Sequence, residues 1–164
     1  MPSPVFTHPA VPQDPMNSTN STNTTNTTAS LMMQLLGECK TIAVVGLSPK
    51  THRASYSVAA YMQNAGYRII PVNPREVGKT LLGEHCYASL TEAAAHHRID
   101  IVDCFRNAED MLPIAQEAAT IAPRCLWMQS GIINTEAARI AADAGIVVVM
   151  DRCLKIEHQH SFVS

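Results

Sequence analysis

Thr41-Ile-Ala-Val-Val-Gly46 is the stretch that decides the fold. It is β-branched and apolar, shows no polar alternation and closes on glycine, as a strand covered on both faces does. A polar loop follows, Leu47-Ser-Pro-Lys-Thr-His-Arg-Ala54. Val58, Tyr61, Met62 and Ala65 then recur at the spacing of one helix face. Ser55 is the expected N-cap of that helix and Gly66 its expected stop.

The same alternation extends outward from this unit. Upstream, residues 31–39 read as a short lead-in helix. Downstream, Arg68-Ile-Ile-Pro-Val72 is a second strand ending at Asn73-Pro74. Pro71 lacks a ladder donor, so it is expected near the strand's end. Gly78 and Gly83 mark a loop, and Ser89-Leu-Thr-Glu92 is a capping box ahead of a short alanine-rich helix. Ile99-Asp-Ile-Val-Asp-Cys-Phe105, Cys125-Leu-Trp-Met128 and Ile146-Val-Val-Val-Met150 read as the third, fourth and fifth strands. Between them lie two helical patterns. One is capped by Asn107 and carries Met111, Ile114, Ala115 and Ala118. The other carries Ala137, Ile140, Ala141 and Ala144 and stops at Gly145.

Strands alternating with helices predict an α/β fold, a doubly wound Rossmann-like parallel sheet of about five strands in three α/β/α layers. Counted along the chain, the expected strand order is 3-2-1-4-5, with a ligand over the carboxyl ends of strands 1 and 4. The chain has 164 residues, which suits one domain over 31–164. Residues 1–30 differ in kind. They are proline-rich at first, and residues 17–28 contain only Asn, Ser and Thr. Such a tract cannot bury enough apolar surface to offset chain entropy and is expected to be a disordered tail. It shows neither a basic start nor an apolar core, so no secretory signal is expected and the protein is read as cytoplasmic.

Bulk composition excludes several classes. The formal net charge is -2, which offers no basis for nucleic-acid or anionic-membrane binding. No apolar run approaches the roughly 20 residues a membrane span needs. The five cysteines are widely spaced and include no C-x-x-C pair, so reduced thiols are expected rather than a zinc site or disulfide framework. No metal site is expected, and His96-His97 is read as the solvent-facing end of a helix.

The turns after the strands carry the chemistry in this architecture. The first contains Gly46, Leu47, Ser48, Lys50, Arg53 and Ser55. It lacks the second and third glycines of a dinucleotide fingerprint, since Ser48 and Thr51 stand there. It still offers backbone N–H groups at a helix N-terminus, two cations and two hydroxyls, a set suited to phosphate. The alternative is an ordinary turn with solvated charges. The second turn, Val72-Asn73-Pro74-Arg75, has no acidic residue for a ribose diol, which counts against NAD and favours a phosphorylated ribose. NADP and coenzyme A both carry one. In the third turn Phe105 can lie against a base or an alkyl chain and Arg106 can reach phosphate. In the fourth, Gln129 offers polar atoms and Gly131 lets a ligand approach the backbone. The segment Asp151-Arg-Cys-Leu-Lys-Ile-Glu-His158 is rich in reactive groups, but no nucleophile–base pair is in view. It reads as an ion-paired closing segment packed by Leu154 and Ile156.

Several stretches also match a known pattern. These are Val44-Val-Gly-Leu-Ser48, Arg53 with Ser55, Gly66-Tyr-Arg-Ile-Ile-Pro-Val-Asn-Pro74 and Gly83 with Tyr87 and Leu90. They continue with Asp103, Phe105 and Arg106, then Trp127-Met-Gln129 with Gly131. The last are Val149-Met-Asp-Arg-Cys153 and Lys155-Ile-Glu-His158. The chain thereby resembles the CoA-binding-domain family of small standalone proteins, often called YccU-like, and the CoA-binding domain of the succinyl-CoA synthetase α subunit. The resemblance implies a coenzyme A or acyl-CoA ligand. By it, Gly46, Ser48 and Arg53 would take phosphates, and Val72, Asn73 and Pro74 would meet the adenosine part. Arg75 and Glu76 stand where the synthetase carries a lysine. The synthetase reaction needs a second domain with a phosphorylated histidine and is not expected to carry over. The expected function is a CoA-binding protein, with a homodimer among the assemblies that small domains of this kind form. The alternatives are an NADP-type binding protein and a partner-dependent acyl-CoA ligase or transferase component.

Overall fold

The computed structural model describes residues 21–163. Residues 1–20, part of the tail expected to be disordered, lie outside the described residues. A lead-in helix α1 spans Ser21–Glu38, beginning earlier than expected, and packs through Met32, Leu35 and Leu36. The chain then alternates: β1 (Thr41–Val45), α2 (Ala54–Asn64), β2 (Arg68–Val72), a short hairpin of β3 (Thr80–Leu81) and β4 (Glu84–His85), and α3 (Leu90–Ala94). It continues with β5 (Ile101–Cys104), α4 (Met111–Ile121), β6 (Cys125–Met128), α5 (Thr135–Asp143), β7 (Val147–Val149) and α6 (Leu154–Phe162).

The α/β class, the five-stranded parallel sheet and the three layers are as expected. Alternate strand residues face opposite cores. Ala43, Val45, Val102 and Leu126 pack against α3, α4 and α5. Ile42, Val44, Ile101 and Trp127 pack against α1, α2 and α6. Of the N-caps read from sequence, Ser89 forms as expected, whereas Asn107 makes no side-chain cap and α4 is preceded by Asp110. Ser89 Oγ accepts from Glu92 N–H at 3.1 Å, and Glu92 accepts in return from Ala88 N–H at 3.1 Å. Ser55 is a correction: α2 is preceded by Arg53, with no side-chain cap.

The strand order is also corrected. The sheet runs β2-β1-β5-β6-β7, so the strand third along the chain pairs with β1 and not with β2. Pro71 supplies the physical reason. Its carbonyl accepts Tyr87 N–H at 3.0 Å on the side of β2 away from β1. On that side a proline offers no ladder donor, which an edge strand tolerates and a central strand does not. The connection from β2 therefore returns over β1 and places α3 on the opposite face from α2. The order reverses between β1 and β5, which moves the switch point there from the expected strands 1 and 4.

α6 closes the structure. Leu154 is fully buried, whereas Ile156, expected to pack, is 46% exposed. Trp127 Nε1 donates to the Arg152 carbonyl at 2.8 Å and ties this segment to the sheet. Leu154→Ala is expected to lower the unfolding free energy by about 2–4 kcal/mol, the range for deleting a buried leucine side chain. Urea denaturation measures it, and a change under about 0.5 kcal/mol, the range of surface substitutions, would show that α6 is not part of the cooperative core.

Candidate functional site

The site is built on Gly46. Its φ of +87° is left-handed, and a Cβ there would come within 2.5 Å of the Phe105 carbonyl oxygen. The turn after β1 and the turn after β5 touch at this point, and only glycine allows it.

From this crossing the β1 turn folds back on α2. Ser48 N–H donates to Ser55 Oγ at 3.0 Å, and Lys50 N–H donates to Ser48 Oγ at 3.1 Å. Each hydroxyl accepts within the loop and keeps its own O–H to donate. Asn73 stitches the second turn to the first: its Nδ2 donates to the Leu47 carbonyl at 3.0 Å and its Oδ1 accepts Arg75 N–H at 3.0 Å. Leu47 itself is fully buried and faces the core rather than a ligand. Its place in the site is corrected to that of a carbonyl holding Asn73.

Two clefts open over these turns. One, about 440 Å³, is walled by Gly46, Ser48, Lys50, Arg53, Ser55, Asn73, Arg75, Phe105 and Arg106. The other, about 830 Å³, is walled by Val58, Phe105, Arg106, Gln129, Gly131, Ile132, Cys153 and Ile156. Ala54, Phe105 and Arg106 line both, so the two adjoin there as neighbouring arms of the groove. Val72 and Pro74 lie apart, in a smaller cleft on the α3–α4 side of Gly46 that Arg106 also borders. Three of the four expected turns therefore meet in the groove directly, and the second meets it through Asn73 and Arg75.

The two arms differ in character. The first has the N-terminus of α2 without a side-chain cap. Glu76, the acid on its wall, pairs with Lys79 at 2.6 Å, while Arg106 of the arm is paired with Asp110 at 3.6 Å. Among the described residues, no ion pair involves Lys50, Arg53 or Arg75. Exposed N–H groups and cations without ion pairs are the groups that suit an anion. The second arm is lined in one part by the apolar Val58, Ile132, Cys153 and Ile156, and elsewhere by Arg106, Asn107, Glu109, Gln129 and Ser130. Gly131 lines it too, but its N–H is taken by Asp151 Oδ1 at 2.7 Å.

Beneath Gln129 lies Asp103, a residue not singled out from sequence for the site. Its carboxyl is 1% exposed, Oδ1 accepts Gln129 Nε2 at 2.6 Å, and Oδ2 has no hydrogen-bond partner. Burial pushes its pKa from 3.8 up to about 7, against the lowering effect of Gln129. A carboxylate inside the apolar run Ile101-Val-Asp-Cys104 was the available signal.

Other reactive groups fall away from the groove. His158 is buried along α6, where its Nδ1 meets Tyr61 OH at 2.9 Å, and burial lowers its pKa. The cleft it borders includes Lys40 and Tyr67, which precede β1 and β2, so it lies at the opposite end of the strands. Arg152 pairs with Glu157 at 3.2 Å, as the ion-paired reading expected. His96 and His97 are not simply solvent-facing: His96 stacks on Tyr87, and His97 Nε2 meets Tyr87 OH at 3.1 Å. Cys39, Cys86, Cys104 and Cys125 are buried, and burial raises each thiol pKa. Among the described residues, no helix is long and apolar enough to cross a membrane.

A family model described as a CoA binding domain matches residues 40–159. The chain belongs to the CoA-binding domain family. Within the Bacillus subtilis (strain 168) protein YneT, 125 residues are 40% identical to it, covering 76% of this chain and 90% of that protein. A solved structure of a Thermus thermophilus protein, cell-free ID.343, superposes with a TM-score of 0.78 at 37% identity, covering 82% of this chain and 98% of that one. A Pyrococcus horikoshii OT3 protein gives 0.76 at 31% identity, covering 80% of this chain and 90% of that one. All the turns that build the groove fall inside the matched residues of this CoA-binding domain.

Two outcomes follow from the geometry. Gly46→Ala is expected to cost at least about 2 kcal/mol, since it adds left-handed strain to a backbone clash; denaturant titration reads this, and wild-type stability would refute the close approach. Asp103 makes stability depend on pH with a definite sign. Between about pH 4 and 7 the folded chain keeps a proton that the unfolded chain has lost, so this residue's contribution to stability falls as pH rises. Asp103→Asn should therefore gain on the wild type between about pH 4.5 and 8 by on the order of 3 kcal/mol. Parallel stability curves for the two proteins would contradict it.

Proposed function

We propose that the groove binds coenzyme A or an acyl-CoA, with the phosphates in the cationic arm and the pantetheine chain along the apolar arm. The observation that carries this reading is the continuity of the two arms at Phe105 and Arg106. Phosphates need N–H donors and cations, and the first arm offers the uncapped start of α2 with Lys50, Arg53 and Arg75. A pantetheine arm is a flexible chain with two amides, and the second arm offers the apolar Val58, Ile132 and Ile156 together with the amide side chains of Asn107 and Gln129. Membership of the CoA-binding domain family supports the same ligand.

The protein is read as a cytoplasmic binding module. Cys153 is the one thiol at the groove that is not buried, and among the described residues no hydrogen bond joins it to a histidine. His158, one member of the Asp151–His158 segment on which the ligase or transferase alternative rests, lies at the opposite end of the strands from the groove. Arg75, on the wall of the cationic arm, is the group proposed to tell a 3′-phosphorylated ribose from an unmodified one.

Titration calorimetry with CoA, dephospho-CoA and NADP tests this. CoA is expected to bind at least about tenfold more tightly than dephospho-CoA, because a charged hydrogen bond contributes about 1.5–3 kcal/mol. Arg53→Ala is expected to weaken CoA by a similar factor. Equal affinity for CoA and dephospho-CoA would remove the 3′-phosphate contact. Binding of NADP without CoA would move the protein to the nucleotide-cofactor class.

A further inference from the structure

We infer that Asp103 is a positioning residue that locks the Gln129 amide with its carbonyl oxygen toward the groove, so that the apolar arm selects ligands bearing an N–H donor. The inference deepens the CoA reading and rests on it.

The argument begins with what each atom can do. A primary amide has one end that only donates and one that only accepts. Left to itself, a glutamine side chain on a groove wall can turn either end toward a ligand. Gln129 is not left to itself. It is 5% exposed, and its Nε2 donates to Asp103 Oδ1 at 2.6 Å. Once ionised, which burial delays to about pH 7, that carboxylate accepts only, and the donor end of the amide then has to face it. The acceptor end is thereby turned the other way. Gln129 Oε1 has no hydrogen-bond partner among the described residues and is not sealed from solvent, as Asp103 Oδ2 is. Val58, Ile132 and Ile156 are the apolar part of this arm, which Arg106, Asn107, Glu109 and Ser130 also line. A fixed acceptor on a side chain only 5% exposed favours a donor and penalises a second acceptor, because a buried polar group left unpaired is costly.

The neighbouring backbone is engaged as well. Gly131 N–H is held by Asp151, and the Gln129 carbonyl accepts Ile132 N–H at 3.0 Å. Gln129 Oε1 is therefore the acceptor, on a buried side chain, that this turn presents to the arm, beside the exposed Ser130. The matching group on a pantetheine chain is an amide N–H. Asp103 has no structural task that demands a carboxylate: it stands in a strand whose other residues are apolar, and its Oδ2 is unpartnered.

The test compares two ligands that share the phosphate end: CoA, and adenosine 3′,5′-diphosphate, which lacks the pantetheine chain. Calorimetry on the full chain gives the ratio of their affinities. Gln129→Met keeps the length of the side chain and removes both polar ends; it is expected to lower that ratio by about fivefold to tenfold with the diphosphate unaffected. Asp103→Asn can both donate and accept, frees the amide to flip, and is expected to lower the ratio by about twofold or more. A nitrogen-15 spectrum supplies a readout that packing alone does not move. The Gln129 side-chain amide is expected to show one strongly downfield proton in the wild type, absent in Gln129→Met and returned to the ordinary range in Asp103→Asn. An unchanged ratio in Gln129→Met, an equal loss of both ligands, or an ordinary Gln129 resonance in the wild type each overturns the inference alone. Failure of the wild type to bind either ligand overturns the CoA reading and this inference with it.

Discussion

The contact between Gly46 and the Phe105 carbonyl is the constraint on which the rest of the site depends. With 2.5 Å available where a Cβ would stand, the turns after β1 and β5 cross without any side chain between them. That crossing exists only because β1 and β5 are neighbours in the sheet. It brings Phe105 and Arg106 to the mouth of the β1 loop, and both arms of the groove open from there. A bulkier turn would separate the cationic arm from the apolar one, and a long ligand would lose its continuous path.

Much of the loop chemistry is spent on holding the loops. Ser55 and Asn73 look like ligand contacts by residue type, yet their polar atoms fix Ser48, Leu47 and Arg75 in place. The result is a preformed cradle in which Lys50, Arg53 and Arg75 form no ion pair among the described residues. Such preorganisation reduces the ordering cost of binding, which otherwise consumes a large share of the contact energy. The buried carboxyl of Asp103 follows the same logic one layer down. It costs desolvation, and the return is a single orientation of the amide above it.

Periodicity, caps and turn residues are local properties, and they were enough to set the class of this protein. β1, β2 and β6 match the runs read from composition, and Ser89 and Gly66 act where a capping box and a helix stop were expected. The concentration of cations in the first turn was equally legible, because the loop after the first strand of such a sheet is a place that sequence order alone identifies. Family membership followed from motifs spread over the folded part.

What the tertiary structure alone decided is which elements meet. Strand order is non-local: the same strands in another order would show the same periodicity, and the one clue, Pro71, bears on the edge and not on the neighbour. Leu47 reads as a loop residue until burial places it in the core. His158 stands with Asp151 in one segment rich in reactive groups, and α6 carries it toward the other end of the strands. The pairing of Asp103 with Gln129 joins two strands across 26 residues of chain, and no spacing rule connects them. Sequence determined a covered parallel sheet with a cationic first turn; only the pairing of β1 with β5 decided that this turn is one arm of a groove whose other arm is apolar.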